Sequence, residues 1–277
     1  MSIPSAQEKV CLITGASGTI GYAIAQALKS SASPWHVILI GRRAPPPSIT
    51  NMNGEPPETL PYDTFLQADI TDESSVKTAL DSHFESLQNH KDFEKQALNR
   101  LDLLVNCAGC SLGNEPLADV NVDDFRKVME VNLISPFILS KWAFTKMAGQ
   151  PNPGGRIINI GSIASESPRL NAVPYTTSKY ALSGLTRALS MEGRHLSQTT
   201  KNDLAGGGIV SVCQINPGNV RSSIMSPEEM ARREKEEGFV DPQDVANMVA
   251  TVANMPNEVN VLESTVMPTR QPLVGRG

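Results

Sequence analysis

The sequence predicts a three-layer α/β fold, a doubly wound parallel sheet of about seven strands with helices on both faces. Short apolar runs alternate with longer segments of helical period from one end of the chain to the other, the pattern of strand, helix, strand units. The runs are near-continuously apolar, as strands covered on both faces require. The length of 277 residues suits one α/β core, so residues 1–277 are read as a single domain.

In order, the expected strands are VCLIT (10–14), HVILIG (36–41), TFLQAD (64–69), LDLLVN (101–106), GRIINI (155–160), GIVSVCQI (208–215) and VNVLESTVM (259–267). Two helix starts are explicit. Ser226-Pro227-Glu228-Glu229 and Asp241-Pro242-Gln243-Asp244 each place a capping side chain, a proline at the first helical position and an acid or amide in the first turn. The stretch 123–147 reads as one long helix, apolar on more than one face. Three segments depart from compact packing. Residues 44–62 hold six of the 20 prolines and no helical period, so the crossover helix there is expected to be missing or very short. Residues 89–99 read as a polar addition to the preceding helix, and 197–207 lengthen the connection into strand six.

Composition narrows the function. The chain is 40% hydrophobic and 19% charged, which excludes disorder. A formal charge of -5 offers no basic field for nucleic acid. No apolar run approaches the roughly 20 residues that span a bilayer, and MSIPSAQEKV lacks the features of a signal peptide, so a cytoplasmic protein is expected. Of the four cysteines, Cys11 and Cys213 sit in apolar strands. Cys107 and Cys110 form a lone C-x-x-C with no second pair, so neither a metal site nor redox chemistry is expected from them.

The first strand runs into TGASGTIG (14–21) and then into a helix. Glycines 15, 18 and 21 let the backbone turn tightly and approach a pyrophosphate, which sits where free N–H groups and the helix dipole favour negative charge. This strand, glycine turn and helix make the fold Rossmann-type and the ligand a dinucleotide. An NAD-binding site of this kind places an acid at the end of strand two. Here that end reads Gly41-Arg42-Arg43, two guanidiniums suited to a 2′-phosphate, so the expected cofactor is NADP(H).

Tyr175 and Lys179, four apart, share one helix face. A phenol, titrating near ~10 in water, works as an acid–base group at neutral pH when a cation stands beside it. Ser162 follows strand five at the carboxyl edge of the sheet, where ligands bind in this architecture, and its hydroxyl can hydrogen-bond a substrate oxygen.

These residues, with Asp69, Asn106-Cys107-Ala108-Gly109, Asn132 and Pro217-Gly218, occur in the order and intervals of the short-chain dehydrogenase/reductase family, which the chain resembles from about Val10 to Ser222. The length matches the short, single-domain branch. The resemblance implies that Tyr175 is the general acid or base, that Lys179 supports it and holds the nicotinamide ribose, that Ser162 orients the carbonyl and that Asn132 keeps a water behind Lys179. It further implies that Gly15, Ser17, Gly18, Thr19, Ile20 and Gly21 cradle the pyrophosphate. Asp69 and Ile70 would meet the adenine, Asn106, Ala108 and Gly109 would line the adenosine side, and Pro217, Gly218, Val220 and Ser222 would cover the nicotinamide. The loop departs from the short branch's usual TGxxxGxG, with Thr19 at the middle glycine's place, Cys107 replaces an asparagine, and Gly161 replaces a serine.

The expected activity is therefore NADPH-dependent reduction of a ketone or aldehyde, or the reverse, on a small-molecule substrate. The C-terminal strand is similar to that of NADP-dependent 3-hydroxy acid dehydrogenases and carbonyl reductases. A 3-oxoacyl-carrier reductase is the alternative, and a non-catalytic dinucleotide-sensing regulator is the alternative of another class. The substrate side is expected within 219–240, where Met225 and Met230 offer an adaptable wall. Arg169 and Arg221 are the nearby cations for a substrate carboxylate or phosphate, and arginines so placed are more often surface residues, so neither is assigned that role. The resemblance also implies a homodimer or homotetramer formed through the helices from Asp123 and Tyr175.

Overall fold

The computed structural model describes residues 8–33, 35–45, 60–199, 208–221 and 227–273. Seven strands form one sheet in the order β3-β2-β1-β4-β5-β6-β7, every pair parallel. They are β1 (Lys9–Thr14), β2 (Trp35–Gly41), β3 (Thr64–Gln67), β4 (Leu103–Asn106), β5 (Gly155–Ile160), β6 (Val210–Pro217) and β7 (Glu263–Val266). The order reverses direction between β1 and β4, so a crevice opens at the carboxyl ends of those strands, where ligands bind in such sheets.

The two-residue period of the strands sorts their side chains into two cores. On one face Cys11, Ile13, Leu39 and Ile158 pack against α1 (Thr19–Lys29) and α8 (Pro242–Ala253). On the other, Val10, Leu12, Ile38 and Ile157 pack against α2 (Glu73–Gln88) and α5 (Ser135–Gly149). Helix α8 begins at Pro242 as the sequence predicts, with Asp241 capping the Gln243 N–H. Helix α7 (Pro227–Glu236) likewise begins at Pro227, while its expected cap, Ser226, lies outside the described residues. Between β2 and β3 no helix occurs among the described residues, and 46–59 lie outside them. Most of 197–207 lies outside them too.

Three expectations are corrected. The polar segment 89–99 is not an addition to α2, which stops at Gln88; it folds its own short helix, α3 (Phe93–Ala97), capped by the Asp92 side chain. The last strand begins at Glu263, four residues later than the apolar run suggests, because the carbonyl of Val259 is taken by Arg156 (2.9 Å) and Val259 N–H closes a turn on Pro256. The helix expected over 123–147 is two, α4 (Val122–Met129) and α5, joined by a π-turn at Glu130–Ile134. Pro136 supplies the reason. It has no N–H for the carbonyl of Asn132 and its ring crowds that carbonyl, so the ladder shifts to a wider register, and Ser135 N–H bonds the Glu130 carbonyl instead. Helix α6 (Val173–Thr199) completes the set.

Candidate active site

The site is built where β1, β4, β5 and β6 end. Gly15 holds φ +71°, and a Cβ there would meet Ala108 backbone atoms at 2.6 Å; a Cβ at Gly21 would meet the Gly15 carbonyl at 2.5 Å. Only glycine lets the loop after β1 lie this close to the loop after β4 and to its own helix. Gly18 caps α1 without a side-chain hydrogen bond, so the first N–H groups of the helix face the groove. Thr14 ties the two loops together: its buried Oγ1 accepts the N–H groups of Cys107 (3.0 Å) and Ala108 (3.1 Å).

A groove of about 720 Å³ runs from this loop, past Ala108 and Gly109, to Arg42, Arg43, Asp69 and Ile70. All six predicted loop residues, Gly15, Ser17, Gly18, Thr19, Ile20 and Gly21, line it. The Asp69 carboxyl is held below the usual carboxylate range, first by the Thr71 N–H (3.0 Å) and hydroxyl (2.8 Å), with the charge of Arg42 adding to them. Asn106 stands apart. As the last residue of β4 it turns inward, donating to Asn159 Oδ1 at 2.8 Å, and only its neighbours reach the groove.

A second cavity, also about 720 Å³, adjoins the first through Ile20, Cys107, Gly109 and Cys110. Ser162, Tyr175, Lys179, Pro217, Gly218 and Val220 line it; Ser222 lies outside the described residues. Helix α6 presents Tyr175 and Lys179 on one face, with the ammonium 5.6 Å from the phenol ring centre. Lys179 is buried and donates to the Ile160 carbonyl at 2.9 Å, which fixes it between β5 and the phenol. Ser162 caps the short 3-10 turn Ile163–Ser165, its Oγ accepting the Ala164 N–H at 3.1 Å. Asn132 sits in the π-turn behind the wall, bonded to both the N–H and the carbonyl of Cys110 (2.9 Å each) and to Ser178 (3.0 Å). A Cβ at Gly109 would be 3.4 Å from its Oδ1 and 3.9 Å from Lys179 Nζ, so the amide and the ammonium both border Gly109.

Sequence reasoning missed the support beneath these groups. Asn106, Asn159, Thr186, Gln214 and Asn216 form a buried chain of side-chain hydrogen bonds across β4, β5, α6 and β6, with links of 2.8, 2.9, 3.1 and 2.7 Å. It ends on the Ser162 N–H (3.2 Å) and, through Glu263 of β7, on Arg187 at the surface. A polar residue within each apolar run was the available signal. Burial pushes the Cys107 thiol up to about 12 and raises Cys110 as well. No cluster of three or more metal-ligating side chains occurs among the described residues.

Residues 9–233 match the family described as short chain dehydrogenase. The chain belongs to that family. Among its relatives is an uncharacterized oxidoreductase of Staphylococcus epidermidis, 27% identical over 262 residues that cover 95% of this chain and 98% of that protein. Solved structures that share the fold include an alcohol dehydrogenase from Thermococcus sibiricus complexed with 5-hydroxy-NADP (TM-score 0.71, 21% identity, 96% and 98% of the two chains). A 3-ketoacyl-(acyl-carrier-protein) reductase from Brucella melitensis complexed with NADH is similar to the same degree (TM-score 0.72, 20% identity, 97% and 100%).

This short chain dehydrogenase is an oxidoreductase of a family that binds NAD or NADP and acts on small molecules. The cradle of its glycine loop, closed to any side chain at Gly15 and Gly21 and lined by helix N–H groups, fits a dinucleotide pyrophosphate. No helix among the described residues is long and apolar enough to cross a membrane.

Proposed function

We propose that this short chain dehydrogenase reduces a ketone or aldehyde to an alcohol with NADPH, or runs the reverse reaction, using Tyr175 as its general acid or base. The observation that carries this reading is the meeting of Ser162, Tyr175 and Lys179 in a cavity that adjoins the glycine-loop groove. The bound dinucleotide would supply or accept the hydride. Ser162 Oγ would hydrogen-bond the carbonyl oxygen, and the Tyr175 hydroxyl would hand that oxygen its proton. Lys179 places its positive charge beside that phenol. Asn132 positions the backbone of Cys110 and the wall behind Lys179.

Preference for NADPH rests on Arg42 and Arg43, which line the groove beside Gly41, where an acid for the ribose hydroxyl would stand. Self-association through α5 and α6 fits the exposure of Phe137 and Tyr180 on those helices.

The test is NADPH oxidation with a panel of diketones and oxo-esters. Tyr175→Phe is expected to lose at least about 100-fold in turnover while binding NADPH as the parent does. Turnover unchanged in that variant overturns the mechanism, and tight NADPH binding with no turnover of any carbonyl favours a dinucleotide sensor.

A further inference from the structure

The substrate cavity carries a charge pattern that the reductase reading does not require. Three cations and no carboxylate line it among the described residues: Lys179, Arg169 and Arg233. Lys179 is engaged by the Ile160 carbonyl and Tyr175. The two arginines come from different walls. Arg169 lies on the loop between the Ile163–Ser165 turn and α6, and its guanidinium carbon is 5.9 Å from the Tyr175 ring centre. Arg233 lies on α7, where Asn219 Oδ1 accepts its Nη1 at 2.6 Å; Asn219 is fixed in turn by Gln271 (2.8 Å) and Glu237 (2.7 Å).

The loop that carries Arg169 turns sharply just beyond it. Asn171, two residues on, is the one non-glycine residue with positive φ (54°) among the described residues, and it also lines the cavity. Backbone held in a sparsely populated region concentrates at ligand clamps. Arg221 has no comparable position: it pairs with Glu234 and its guanidinium lies 5.2 Å from the Phe239 ring centre.

We infer that the carbonyl substrate bears an anionic group, carboxylate or phosphate, that Arg169 engages beside Tyr175 and that Arg233 of α7 attracts into the same cavity. The inference rests on the proposed reductase reading and narrows its substrate class. A guanidinium presents paired donors that match the oxygens of either anion. A cleft lined by one sign of charge, with the apolar Ile163, Leu170 and Val220 among its walls, concentrates the attraction.

The experiment measures equilibrium binding to the NADP-saturated protein by calorimetry, pairing each anion with a neutral counterpart. The pairs are acetoacetate and levulinate against their methyl esters, and dihydroxyacetone phosphate against dihydroxyacetone. At least one anion is expected to bind about ten- to hundredfold more tightly than its counterpart, and which pair does so separates carboxylate from phosphate. Arg169→Gln is expected to abolish the difference and Arg233→Gln to reduce it, with neutral-ligand and NADP binding retained as the sign of an intact fold. Neutral counterparts binding as well as the anions, no binding by any anion, or a preference that survives Arg169→Gln overturns the inference. NADPH oxidation measured in parallel keeps the two readings apart: anion-selective binding without turnover counts against the reductase, and turnover of the esters in preference to the acids counts against the anionic substrate alone.

Discussion

Asn216 Oδ1 accepts the backbone N–H of Ser162 at 3.2 Å, and the same oxygen occupies the space in front of Gly161, where an added Cβ would lie 2.0 Å from it and 2.5 Å from Gln214 Nε2. The glycine before Ser162 is thus the counterpart of two large amides on β6. Gly161→Ser is expected to displace both and to disturb the Ser162 backbone. Overpacking of this kind destabilises by about 1–3 kcal/mol, read as a lowered denaturant midpoint, and turnover should fall with it. An unchanged midpoint would mean that the amides have room to move.

Gly41 ends β2 with open space around it: an added Cβ would meet nothing within 4 Å. Gly41→Asp is therefore expected to fold normally and to shift preference from NADPH toward NADH, by placing a carboxylate where a 2′-phosphate would sit. Removing Arg42 and Arg43 as alanines is expected to raise the Michaelis constant for NADPH about ten- to hundredfold, the loss of one or two charge-assisted hydrogen bonds, with little change for NADH. Equal effects on both cofactors would contradict the proposed preference.

Thr14 offers a test of the groove's frame. Thr14→Val keeps the shape but strands the N–H groups of Cys107 and Ala108 that its Oγ1 now accepts. The expected cost is about 1–3 kcal/mol, with weaker NADPH binding, while Thr14→Ser keeps the acceptor and should stay close to the parent. Denaturant unfolding of the two variants separates the lost acceptor from a mere change in packing.

Acid should weaken the fold through two half-buried histidines. Burial lowers His36 and His83 below their ordinary value, and His83 Nε2 is buried without a hydrogen-bond partner. The unfolded chain then binds protons that the folded one refuses. The stability from this source is complete above the unfolded value of about 6.5 and is lost as pH falls through the lowered folded values. Thermal midpoints should be flat from neutral to mildly alkaline pH and decline below about 6.5. His83→Leu should make that decline shallower, and a decline of the same steepness would remove His83 from the account.

The strands, the glycine turn and the Tyr175–Lys179 face were legible because each follows from local periodicity or from residue types that only one backbone shape accepts. The misjudged places are those where a distant side chain decides. Arg156 draws Val259 out of the last strand, and Asp92 starts a helix that polarity alone hides. Asn159, Gln214 and Asn216 look like interruptions of apolar runs, and apart from the Gln214–Asn216 bond within β6 their partners lie 27 or more residues away. Pro136 was visible, but its effect falls four residues upstream, on the turn that contains Asn132.

That turn holds one residue more than α-helical spacing needs, closing its ring from the Ser135 N–H to the Glu130 carbonyl five residues back. The surplus is taken up locally, so removing one position between 130 and 134 should disturb the faces of α4 and α5 far less than the same change inside α5. Helix α5 has no such slack. An α-helix advances about 100° per residue, so removing one position between 135 and 138 would turn Leu139 and Ala143, now against the sheet, toward solvent.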